Sequence, residues 1–230
     1  MKKLNSIIVL LILVFTSCEK EKDVNNLITQ GDYPVKEYYF ERSPSVNPWG
    51  TGMDLVHSEC KLEETSLDYE YLTEGSDFTY DLKFYIVKAY YTDKNGDTQS
   101  EGCPAILLGK DVMACKLGIG VAFFDSLITI TEEMTGLLTT EPEVDYDACK
   151  DTSGTYDREL LFASIDQCII GRSFRSNILE VPEDKTEQEV QPVYLIKTSE
   201  GGYAKFMVKQ FKGDAPQEKQ TLMRWQVISE

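Results

Sequence analysis

The stretch VQPVYLIKTSEGGYAKFMVKQF leaves its part of the chain few folds to choose from. Apolar residues recur at alternate positions on both sides of Ser199-Glu200-Gly201-Gly202, which is the period of a β-strand, and the glycine-bearing segment between them predicts a short hairpin loop. TLMRWQVIS follows the turn residues Gly213-Asp214-Ala215-Pro216, so a third strand completes a meander. The spacing puts Ala204, Phe206 and Val208 on one face and Tyr203, Lys205, Met207 and Lys209 on the other. One face is expected to pack on a core and the other to meet water. Met223, Trp225 and Val227 supply the matching apolar triplet of the last strand.

The same period runs through YDLKFYIVKAYYTDKNGDTQ, where Leu82, Phe84 and Ile86 alternate with Lys83, Tyr85 and Val87. Asn95-Gly96 then predicts a two-residue type I′ turn. VKEYYFER and SLDYEYLT place aromatics at alternate positions, and LGIGVAFFDSLITI, rich in β-branched and aromatic residues, predicts one long strand or two short ones. Helix signals are few: one turn around Glu132 to Leu138, limited by Gly136. TTEPEVDYDACKDTSGTYDREL, with few aliphatics and many acids, predicts a long exposed loop. The expected fold is all-β: a single domain of sandwich-like antiparallel sheets with a C-terminal three-strand meander and little helix. A hydrophobic share of 42% in 230 residues is enough for one generous core.

Ahead of this pattern stands MKKLNSIIVLLILVFTSCEKEKD. Lys2 and Lys3 precede an apolar run from Ile7 to Phe15 that has the length of a secretory h-region and is too short to span a bilayer. Phe15-Thr16-Ser17-Cys18 resembles the lipobox of bacterial lipoproteins, which implies a signal peptide over residues 1–17 and a lipidated Cys18. Residues 18–31 are then a charged linker, and 32–230 the folded domain. Acyl chains contribute about 0.8 kcal/mol per buried CH2, so a multiply acylated cysteine tethers the chain to a membrane. Glu19-Lys20-Glu21-Lys22-Asp23 resembles the export tags of Bacteroidetes lipoproteins passed to the cell surface, and as a solvated spacer it serves equally well. The net charge of −16 repels phosphate backbones and excludes a nucleic-acid partner. With Cys18 assigned to lipid, Cys60, Cys103, Cys115, Cys149 and Cys168 remain. Two disulfides and one thiol are expected in an oxidising compartment, the pairing being open; several buried, inert thiols are the default beside it.

The C-terminal strands carry a resemblance. Tyr-x-Ile-Lys-Thr, Glu-Gly-x-x-Ala-Lys and the strand that follows, within VYLIKTSEGGYAKFMVKQF, are similar to the C-terminal hairpin of HmuY-like lipoproteins, a Bacteroidetes family of all-β, surface-tethered haem-binding proteins. TLMRWQVIS stands where that family has its last strand, and SDFTYDLKFY and GIGVAFFDSL resemble its earlier strand and its Phe-Asp turn. The resemblance implies a hemophore-like role at the outer membrane: haem captured from host haem proteins and passed to an outer-membrane receptor for iron acquisition. It implies an apolar slot and one or two axial ligands to iron, usually His or Met. A two-histidine site within one chain is impossible, because His57 is the sole histidine.

Axial candidates are therefore His57, Met134 beside a predicted loop, and Tyr156, which falls where the family's ligands are expected. Met207 and Met223, inside the meander, are expected to be core packing. His57 stands near Met53, Asp54, Glu59 and Cys60, a mixture that could hold a metal or form a Cys-His dyad; a lone histidine on an early strand or turn is the simpler account. Glu132-Glu133 and Asp145-Asp147 do not meet calcium-loop spacing, and no segment declares a nucleophile with its orienting base, so enzymatic activity is not expected. The leader yields a direct test: Cys18→Ser should abolish labelling by radioactive palmitate and move the protein from the membrane to the soluble fraction.

Overall fold

The computed structural model describes residues 27–41, 50–57, 59–62, 79–152, 154–175, 179–212 and 220–230. Its N-terminal strands are β1 (Ile28–Thr29), β2 (Lys36–Glu41), β3 (Gly50–Asp54), β4 (Glu59–Leu62), β5 (Leu82–Thr92), β6 (Thr98–Leu108) and β7 (Met113–Ile119). Next come α1 (Val121–Ser126), β8 (Thr129–Ile130), α2 (Glu132–Thr135), β9 (Thr139–Thr140), α3 (Arg158–Ile165) and α4 (Glu187–Val190). The chain ends with β10 (Pro192–Lys197), β11 (Tyr203–Lys212) and β12 (Gln220–Ser229). Strands pair in the orders β2-β12-β11-β10-β7-β9, β4-β3-β5-β6 and β1-β8, and every pair is antiparallel. The expected all-β architecture and C-terminal meander are both present.

The two larger sheets face each other across one core. Leu82 and Phe84 of β5 and Ile106 and Leu108 of β6 meet Ile196, Phe206, Val208 and Trp225 from the meander. Phe174, from the segment after α3, lies with its ring centroid 6.2 Å from Phe84 and 5.4 Å from Phe211. Trp225 buries its ring here and donates its indole N–H to Leu55 O at 3.1 Å, so its polar edge is satisfied at the opposite sheet.

The β5–β6 and β10–β11 hairpins close with one device. Asp93 N–H donates to Asp97 O and Gly96 N–H to Asp93 O; Thr198 N–H donates to Gly202 O and Gly201 N–H to Thr198 O. Gly96 and Gly201 have φ of 88° and 93°, the left-handed conformation that glycine adopts without penalty. This three-residue loop, a turn followed by a left-handed glycine, replaces the two-residue type I′ turn expected at Asn95-Gly96. The reason is local: the Asp93 carboxylate accepts N–H bonds from Asp97 (3.0 Å) and Asn95 (2.9 Å), and these bonds, that from Asp97 foremost, hold its pKa below the ordinary carboxylate value.

The expectation that one face of the meander meets water is corrected. Ala204, Phe206 and Val208 do line the central core, but Met207 is fully buried on the other face against Phe124 and Val193. Lys205, 1% exposed, lies on that same face and donates from Nζ to Phe124 O and Leu127 O, each at 2.8 Å. These carbonyls stand at the C-terminal end of α1, where a helix has acceptors without intrahelical donors and a partial negative charge. Nζ also sits 4.7 Å from the centre of the Phe124 ring. The cover is the segment read as strand: LGIGVAFFDSLITI is β7, then α1, then β8. Val121, Phe124 and Leu127 recur at a helical spacing, and Phe124 N–H bonds back to Gly120 O at 3.1 Å, so the run turns to helix once β7 has ended.

The segment read as an exposed loop is corrected in part. Residues 141–152 and 154–157 are largely irregular, but Cys149 within them is 2% exposed, and α3 begins at the segment's end. The Asp157 side chain accepts Leu160 N–H as N-cap, and Leu161, Phe162 and Ile165 pack with Ala89 and Ala105 on the outer face of the four-stranded sheet. β1 lies within the stretch read as linker, pairing Ile28 with Ile130. Cys18, the charged tract and SLDYEYLT lie outside the described residues. Lys205→Met should cost about 2–4 kcal/mol, because it leaves two buried carbonyls without their charged donor. Lys209→Met, which loses a partly exposed pair with Glu37, should cost under about 1 kcal/mol. Urea denaturation of both variants checks the contrast.

Candidate functional site

At one end of the sandwich the buried carboxylate of Asp81, 1% exposed, joins three connections. Its Oδ2 accepts Leu55 N–H at 2.9 Å, just after β3; its Oδ1 accepts Ser199 N–H (2.9 Å) and Ser199 Oγ–H (3.0 Å) from the β10–β11 loop. Its own N–H donates to Met53 O, and its carbonyl accepts Gly109 N–H, both at 2.8 Å. The consequence appears on the surface above. The turn after β3 folds His57 back on Asp54, with His57 N–H donating to Asp54 Oδ1 at 2.8 Å and Nδ1 2.9 Å from Oδ2. The tip of the β10–β11 loop brings Glu200 Oε1 to 3.5 Å from the same Nδ1. His57 thus occupies a turn, as the simpler sequence account expects, but it stands between two carboxylates. The i, i+3 spacing of Asp54 and His57 was visible in the sequence; nothing local could have announced Glu200.

The other two axial candidates lie elsewhere. Met134, in α2, is half-buried against the cluster of Cys115, Ile130, Leu138, Leu195 and Ile228 on the outer face of the six-stranded sheet. Its N–H is the one capped by Thr131 Oγ1, at 3.3 Å. Tyr156 is half-buried on the outer face of the four-stranded sheet, edge-on to Tyr146 at 6.3 Å, with Lys150 Nζ 5.4 Å from its ring centre. His57, Met134 and Tyr156 are therefore in three separate neighbourhoods. Met53, Met207 and Met223 are fully buried packing residues.

The thiols are likewise interior. Cys115, Cys149 and Cys168 are buried and unbridged, which corrects the expected two disulfides, since two would need four of the five cysteines. Cys149 Sγ lies 3.3 Å from Ser164 Oγ and donates to Asp145 O at 3.3 Å; Cys168 donates to Ser164 O at 3.8 Å. Burial first, and then the neighbouring Glu141, pushes the Cys168 thiol up to about 12, so it is protonated at neutral pH and is no nucleophile. Glu141 itself accepts Leu108 N–H and Ile169 N–H, each at 3.2 Å, and burial raises its carboxyl above the ordinary value despite these bonds. Tyr194 donates or accepts at 2.6 Å with Ser173 Oγ, and burial pushes its hydroxyl up to about 12. These groups join sheets and loops rather than face a substrate.

A surface cleft of about 280 Å³ is lined by Thr186, Glu187, Gln188, Lys209, Gln210 and Leu222, none of them a usual axial ligand of haem iron. Among the described residues no helix is long and apolar enough to cross a membrane. No protein-family model and no curated protein matches the chain. Solved structures do. One is an HmuY-like heme binding protein from Bacteroides vulgatus, with 12% identity, a TM-score of 0.38, and coverage of 83% of this chain and 90% of the other. Another is the apo HmuY analog of Tannerella forsythia, with 10% identity, a TM-score of 0.39, and coverage of 87% of this chain and all of the other. The chain is thus similar to HmuY-type proteins, the group that its C-terminal strands resemble.

The raised pKa of Glu141 has a sign that can be measured. A carboxyl whose folded-state pKa exceeds its unfolded value stabilises the fold fully below the unfolded value of about 4.3, and that contribution is lost as pH rises through the folded value. Glu141→Gln mimics the protonated form, so its thermal midpoint should fall less than the wild type's between about pH 5 and about pH 8. Thermal denaturation at the two pH values checks this, and equal slopes would contradict it.

Proposed function

We propose that this chain is a cell-surface lipoprotein, anchored through Cys18 in the outer membrane, that binds haem in a hemophore-like role. The observation that supports it best is the meander: the two segments on which the HmuY-like resemblance rests form adjacent antiparallel strands, with Ile196 opposite Ala204 and Phe206 opposite Trp225. Capture from host haem proteins and delivery to an outer-membrane receptor belong to the same proposal. Bound haem would supply an iron centre, and this chain would supply its axial side chain.

His57, Met134 and Tyr156 do not together make a two-ligand haem site, since the turn that carries His57, the helix that carries Met134 and the loop that carries Tyr156 do not converge. The proposal therefore takes the form of ligation by one of the three. The same separation favours a second reading, a surface lipoprotein on this fold that recognises a different ligand or scaffolds a partner through its loops.

Titration of hemin into protein lacking the first 18 residues separates the two. A shifted, saturable Soret band that is lost in one of His57→Ala, Met134→Ala or Tyr156→Phe is the result expected for haem binding and identifies the ligand. Spectra indistinguishable from free hemin would exclude the haem reading and leave the second.

A further inference from the structure

We propose that Asp54, His57 and Glu200 form a binding site for a divalent transition-metal ion of the zinc class. One ligand atom from each residue lies within 4.8 Å of the other two. His57 Nδ1 is 2.9 Å from Asp54 Oδ2 and 3.5 Å from Glu200 Oε1. Ligand atoms bound at about 2.0–2.2 Å in a tetrahedral shell stand roughly 3.3–3.6 Å from one another, so small adjustments of exposed side chains bring these three onto one ion. One imidazole nitrogen and two carboxylate oxygens form a borderline donor set that suits zinc, and the imidazole disfavours calcium and magnesium, which take oxygen. The side chains of His57 and Glu200 are 55% and 53% exposed, leaving an approach for the ion and room for water to complete the shell.

The supports are the second reason. Asp54 Oδ1 already accepts His57 N–H, which orients that carboxylate. Both segments that bring the ligands together are anchored by the single buried carboxylate of Asp81, through Leu55 N–H beside Asp54 and through Ser199 beside Glu200. Ligands from two distant parts of the sequence are thus held in place from below, as outer-shell hydrogen bonds hold the ligands of built metal sites. The inference does not rest on the haem reading; it assigns His57 to the ion, which leaves Met134 and Tyr156 as axial candidates.

The test is zinc chloride titration of purified full-length protein in detergent, followed by calorimetry and by the imidazole NMR signals, which are unambiguous because His57 is the sole histidine. One zinc per chain, a saturable shift of the imidazole signals, and affinity weakened at least about tenfold by His57→Ala and by Glu200→Gln are expected. Glu200 is at an exposed loop tip, so its variant keeps the test valid even if His57→Ala folds poorly. Zinc binding that neither variant weakens would place the ion elsewhere on the chain and overturn the proposal. So would unshifted imidazole signals, which would leave an ion-paired histidine.

Discussion

A single buried carboxylate sets the geometry of one end of this molecule. Asp81 is 1% exposed, and its burial is tolerable because backbone N–H groups and a hydroxyl satisfy both oxygens. Its donors come from both large sheets: Leu55 follows β3, and Ser199 lies between β10 and β11. The register of each sheet is set by its own hairpins, but the relation between the sheets at this end depends on Asp81. Trp225, reaching across to Leu55 O, fastens the same connection from the opposite sheet. The juxtaposition of Asp54, His57 and Glu200 follows from these bonds.

The second organising constraint is that both faces of the six-stranded sheet are covered. A lysine on the outer face of β11 would ordinarily mark solvent, yet Lys205 is enclosed beneath α1, and burial lowers its pKa. The arrangement is stable because the ammonium meets two carbonyls at a helix C-terminus and the face of Phe124, on which Arg224 also sits, 5.0 Å from its centre. Arg224 bonds in turn to Asp125 at 2.9 Å. A polar residue thus holds a helix to a sheet. On the other side of the sandwich α3 does this by apolar contact, and Arg172, paired with Asp166, lies 4.4 Å from the Phe162 ring centre.

Legibility followed the range of the interactions involved. Strand runs and hairpin glycines were readable because alternation and left-handed turns are properties of neighbouring residues, as at Gly96 and Gly201. The short helices were also signalled, by Val121, Phe124 and Leu127, by Asp157 ahead of Leu161 and Phe162, and by the capping box of Thr186 and Glu189, but β-branched and acidic neighbours obscured those signals. The cysteines were legible as several buried thiols, which Cys115, Cys149 and Cys168 are, but not as two disulfides, because pairing depends on which cysteines the fold brings together. Among the site candidates, only the surroundings of His57 showed a partner within reach in the sequence, Asp54.

What the amino-acid sequence determined by itself was the all-β character, the meander of the last three strands and the expectation of a lipidated, exported chain. Each of these rests on local periodicity or a contiguous motif. The tertiary structure decided that Lys205 is inside, that Cys115, Cys149 and Cys168 are unbridged, that the three axial candidates are far from converging, and that Glu200 meets His57. Those outcomes depend on which segments pack together across the fold, and burial, charge pairing and desolvation are properties of that packing rather than of any stretch of chain.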